Sequence, residues 1–84
     1  MSKYQALERK CVQQATTALV SRRIARVRYM SRAEANESLW QNRPLVIELD
    51  DGTLIHAACD EEGNDAGVLF VDTKQEGLTF GRLP

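Results

Sequence analysis

The stretch LVIELDDGTLIHAA, residues 45–58, constrains this 84-residue chain more than any other. Leu45, Ile47 and Leu49 alternate with Val46 and Glu48, the two-residue period of a strand with two different faces. DDG then supplies a turn, and two registers are available. A two-residue turn at Asp51–Gly52 sets Leu49 opposite Leu54 and Ile47 opposite His56. A three-residue loop with Gly52 left-handed sets Leu49 opposite Thr53, Ile47 opposite Ile55 and Leu45 opposite Ala57. The second register makes one continuous apolar face ending at Cys59, and the buried face decides register. The three-residue loop is therefore expected. Asp50 and Asp51 at its tip read first as turn residues, whose carboxylates bond nearby backbone N–H groups, and only second as ligands. His56 falls with Leu54 and Ala58 on the other face, where a helix should partly cover it.

The elements around this hairpin follow from the same periodicities. Ser2 and Gln5 form a capping box, and Tyr4, Leu7, Cys11, Ala15, Ala18 and Leu19 recur at three- and four-residue steps. A helix over about 3–19 is expected, with Lys3, Gln5, Glu8, Arg9, Gln13 and Thr16 on its polar side. Its apolar stripe is narrow and should lie on a sheet or against a second copy of the chain. In RRIARVRYM, Ala25, Val27 and Tyr29 alternate with Arg26 and Arg28, a half-exposed strand over about 23–29. Ser31 and Glu34 cap a short helix over about 32–39, with Ala35 and Leu39 toward the core, ended by the residue before Pro44. Strands at about 45–49, 53–59, 68–72 and 78–83 complete the chain. Short turns between them require antiparallel pairing. The expected fold is α+β: an N-terminal amphipathic helix, a short second helix and an antiparallel sheet of four to five strands. That sheet is free to curl into an SH3-like or Sm-like small barrel. The whole chain, 1–84, reads as one domain.

Composition narrows the class. With 43% hydrophobic and 27% charged residues, two Pro and five Gly, the chain is a globular domain and not a linker or disordered tail. No apolar run approaches a membrane span, and MSKYQALERK lacks the continuous apolar stretch of a secretory signal. The expected location is the cytoplasm, where Cys11 and Cys59 would be reduced thiols acting as small hydrophobes. Charge is divided along the chain. Residues 1–43 hold nine cations and three acids, a formal +6, whereas 44–84 hold two cations and nine acids, a formal −7. Such halves either attract each other within the fold or form opposed faces that suit a charged partner.

Three stretches invite a chemical reading. The acidic segment 60–67, DEEGNDAG, offers Asp60, Glu62, Asn64 and Asp65 as cation ligands. An EF-hand loop counted from Asp60 requires Gly at 65 and Glu at 71, where this chain has Asp and Val, so a structural turn is the first reading. GNDAG lacks both the spacing and the following helix of a phosphate cradle. Cys59 and His56 stand three apart on one strand, on opposite sides, and do not make a nucleophile–base pair. Arg22, Arg23, Arg26, Arg28 and Arg32 put five of the eleven cations into eleven residues. That segment suits a nucleic-acid backbone or a protein partner, but an internally ion-paired face gives the same pattern and is preferred.

Taken together, RRIARVRYM, EANESLW, RPLVIELDDGTLI and DEEGNDAGVLF resemble a family of small uncharacterised bacterial proteins. The likeness covers about Arg22 to Phe70, and LDDGT and EGN-x-x-G are its most specific parts. It implies a bacterial, cytoplasmic, compact single domain and brings no activity, cofactor or catalytic residue; His56 and Cys59 lie outside its pattern. The expected role is a non-catalytic interaction or binding module without a cofactor, meeting a protein partner or self-associating through the N-terminal helix. A nucleic-acid-binding module using Arg22–Arg32 is the alternative. A metal-binding or hydrolytic protein using the Asp60–Asp65 loop is the weaker one.

Overall fold

A computed structural model describes residues 2–58 and 67–83. Its elements run α1 (Lys3–Leu19), β1 (Ile24–Tyr29), α2 (Arg32–Glu37), β2 (Leu45–Leu49), β3 (Leu54–Ala58), β4 (Val68–Asp72) and β5 (Gly77–Phe80). The five strands form one antiparallel meander in the order β1-β2-β3-β4-β5. The fold is thus the α+β layout expected from the sequence, and the sheet is open rather than closed into a barrel, with β1 and β5 as its two edges.

The central hairpin adopts the three-residue loop. Ile47 pairs with Ile55, Val46 with His56 and Glu48 with Leu54. The Leu49 N–H donates to the Thr53 carbonyl at 2.9 Å, and Gly52 takes φ +89°, a conformation that side chains with a Cβ resist. The Thr53 N–H donates to Asp51 Oδ1 at 3.0 Å, the local turn bond for which Asp is suited. Both helices begin with the capping boxes read from the sequence, Ser2–Gln5 and Ser31–Glu34.

The end of α2 departs from expectation. The helix stops at Glu37, and Leu39, expected in the core, is 91% exposed. Its φ of +61° turns the chain back, so that the Trp40 N–H donates to the Ala35 carbonyl (2.8 Å) and the Leu39 N–H to the Asn36 carbonyl (3.0 Å). This pair of bonds is a Schellman cap with Leu where Gly is usual. The reversal delivers Trp40, not Leu39, to the sheet. The last strand also ends earlier than expected, at Phe80 instead of Leu83.

Residues paired across strands share a face, which sorts the side chains into two layers. One face carries Arg28, Val46, His56, Phe70 and Thr79, with Arg26, Glu48, Leu54 and Asp72 beside them. α2 lies over it: Met30, Ala35 and Val46 are buried together, and Trp40 and Leu54 pack against them. The other face carries the row Val27, Ile47, Ile55, Val71 and Leu78, followed by the row Tyr29, Leu45, Ala57, Leu69 and Phe80. α1 approaches this face near the β2–β3 and β4–β5 turns, where Ala18 is buried and lines a cleft together with Leu78 and Asp51.

Candidate interaction surface

The five arginines of the basic segment are mostly engaged within the chain. Arg28 sits in β1 and makes two bonds to Glu34 of α2, at 2.8 and 3.1 Å, and its Nε lies 3.5 Å from Glu48. Arg26, two residues earlier on the same face, donates to the other oxygen of Glu48. Glu48 is therefore shared by two guanidiniums, and its carboxyl is held below the usual range mainly by the Arg26 bond. Glu34 is doubly bound, because its Oε1 also accepts the Ser31 N–H at 2.7 Å. The Arg28 bonds, followed by the Ser31 N–H, hold Glu34 down to about 2 from an ordinary 4.5, and the same contact raises Arg28. One carboxylate thus caps α2 and ties it to β1.

Arg22 pairs with Asp51 at 3.2 Å across the hairpin tip, where the Thr53 N–H is the main cause of a lowered Asp51 carboxyl. Arg32 donates to the Gln41 and Trp40 carbonyls (2.9 and 3.4 Å), bracing the chain reversal after α2. Among the described residues, Arg23 has no side-chain partner. Four of the five arginines therefore close polar bonds that this fold needs, and the two charge halves meet at Arg22–Asp51 and Arg26–Glu48.

Asp60, Glu62, Asn64, Asp65 and Cys59 lie outside the described residues. Among those described, no three His, Cys, Asp or Glu side chains converge as a metal site would require. His56 stacks on Phe70 with ring centroids 5.1 Å apart and meets the edge of Trp40 at 5.5 Å. Its neighbours are two aromatic rings, which makes it a packing residue of the α2 face. The cleft beneath α1 is an open groove whose lining includes Lys10, Gln13, Gln14, Thr17, Asp51 and Glu76 beside Ala18 and Leu78.

The opposite face carries a feature that no motif in the sequence announced. In the row next to the turns, Val71 is fully buried and Ile47, Ile55 and Leu78 are half-buried. One row further from the turns, Tyr29 (63% exposed), Leu45 (46%), Ala57 and Leu69 (36%) form an exposed apolar band across four adjacent strands, and Val27 extends it along the β1 edge. The stripe of α1 shows a matching gradient. Ala18 is buried, Ala15 and Cys11 are half-buried, and Leu7 and Tyr4 are exposed. The helix covers only the turn end of the sheet, and its first half leaves its own stripe bare. A signal for this was present in the sequence: β2, β3 and β4 carry apolar residues on both faces, and two helices, one of them six residues long, are too little to cover both. No family model, curated protein or solved structure matches the chain.

Proposed function

We propose that this protein is a non-catalytic interaction module that binds a partner through the exposed band Tyr29–Leu45–Ala57–Leu69. The band carries the proposal because contiguous apolar surface of several side chains is costly to leave in water and marks binding sites on small proteins. The polar face supports it from the other side: Arg26 and Arg28 are already paired there with Glu48 and Glu34. The resemblance of residues 22–70 to small bacterial proteins fits a bacterial, cytoplasmic module of this kind, without a cofactor.

A photo-crosslinking amino acid placed at Tyr29 tests the reading in cells that express the full chain. Protein adducts are expected from position 29 and none from Asn36, exposed on α2. Absence of any adduct at position 29 would remove the interaction reading. The nucleic-acid alternative has a separate test in anisotropy of short labelled RNA and DNA at low salt. A flat titration is expected, since Arg22, Arg26 and Arg28 are paired with carboxylates and Arg32 is bound to main-chain carbonyls. Saturable, salt-sensitive binding would reverse the ranking.

A further inference from the structure

We infer that the partner is a second copy of this chain, with the first half of α1 from each copy laid on the exposed sheet band of the other. The inference rests on the interaction reading above and names its occupant. Each chain carries both halves of such a contact: an unpartnered helix stripe at Tyr4 and Leu7, and an unpartnered sheet row at Tyr29, Leu45 and Leu69. A helix on a sheet face is a standard way for two such layers to bury each other. A two-fold axis makes the contact twice with one patch, which is the usual closed arrangement of a homodimer.

Size supports this occupant. The chain exposes 6576 Å², whereas a compact monomer of its 9.5 kDa exposes roughly 5,000 Å². Its radius of gyration of 13.9 Å likewise exceeds the roughly 12 Å of a compact 84-residue domain. The excess area is above the roughly 800 Å² per partner that a standard interface buries.

Charge selects the geometry. α1 carries Lys3, Arg9 and Lys10 against Glu8 alone, whereas the band residues Tyr29, Leu45, Ala57 and Leu69 are uncharged. Helix on sheet lays this net-positive helix on an uncharged row, whereas α1 against its own image sets Lys3, Arg9 and Lys10 against like charges. Edge pairing of two β1 strands would similarly oppose Arg26 and Arg28 with arginines.

The test is sedimentation velocity on the full chain and on two variants, Leu7→Glu and Leu69→Lys, with far-UV circular dichroism showing that each remains folded. Both sites are exposed, so both variants should retain the wild-type spectrum. The wild type is expected to sediment as a dimer at micromolar concentration, and each variant alone at least about tenfold weaker in association. Mixing the two should restore a one-to-one dimer. In that pairing the acid introduced at position 7 of one chain meets the base introduced at position 69 of the other, while the second contact keeps its wild-type leucines. A wild type that stays monomeric at high micromolar concentration overturns the inference, and a mixture that stays monomeric overturns the helix-on-sheet geometry. The position-29 adduct separates the two levels. A mass of twice the chain supports self-pairing. Adducts of other masses alone reject it and leave the interaction module standing.

Discussion

On one face of the sheet, α2 buries its own Ala35 with Val46, Trp40 and Phe70 pack against His56, and Glu34 bolts the helix to Arg28. On the other, a helix nearly three times as long covers less, because only its last turns meet the sheet, and Tyr29, Leu45 and Leu69 remain in water. Length of helix does not decide coverage. The short helix is held by a polar anchor at its first turn and an aromatic anchor just past its last, so both ends are fixed. The long helix is fixed near its C-terminus alone, through Ala18, and small residues such as Ala15 and Ala18 bring little apolar area to the contact.

The largest effect that would break this contrast is loss of the aromatic anchor. Trp40→Ala should cost about 3 kcal/mol in urea unfolding, since it removes the ring that joins the α2 reversal to His56 and Phe70. A loss below about 1 kcal/mol would mean the two faces are not differently held. Next in size, Leu39→Gly should stabilise the chain by about 1 kcal/mol by relieving a left-handed leucine that makes no buried contact. The rise in midpoint is the readout.

Acid titration sharpens the comparison further. Glu34 is held down to about 2 by Arg28 and the Ser31 N–H, so its contribution is present above its ordinary 4.5 and fades as pH falls toward 2. Glu34→Gln should lower stability at neutral pH and flatten the fall between those values, leaving the slope due to Glu48 and Asp51, whose carboxyls are also lowered. Unchanged pH dependence would show that Glu34 is not the bolt between β1 and α2. The smallest effect is expected on the open face. Leu69→Ser should change unfolding by no more than about 0.5 kcal/mol at chain concentrations too dilute for association. A larger loss there would mean that the band belongs to the monomer's core.

The hairpin was legible because its register had to keep one apolar face continuous, and that local demand survived folding. The capping boxes were legible for the same reason: Ser2–Gln5 and Ser31–Glu34 satisfy backbone groups three residues away, whatever else the chain does. Leu39 and Trp40 were not. Helical spacing pointed Leu39 inward, but the Schellman cap reverses the chain at that residue, and where a helix unwinds depends on what the next residue can reach. The arginines were legible as a cluster only. Their charge could be counted from the sequence, while their partners Glu34, Glu48 and Asp51 became evident once α2 and the hairpin tip had been set beside β1.

By itself the sequence determined the element types, the antiparallel pairing of strands joined by short turns and the turn chemistry at Gly52, because each rests on interactions between residues close in the chain. Only the tertiary structure decided that the sheet stays open, that Glu34 and Glu48 take up Arg26 and Arg28, and that α1 leaves a row of the sheet bare. Those outcomes depend on where two helices land on a twisted surface. Periodicity says which side of each helix is apolar, and it cannot say how far along the sheet that side will reach.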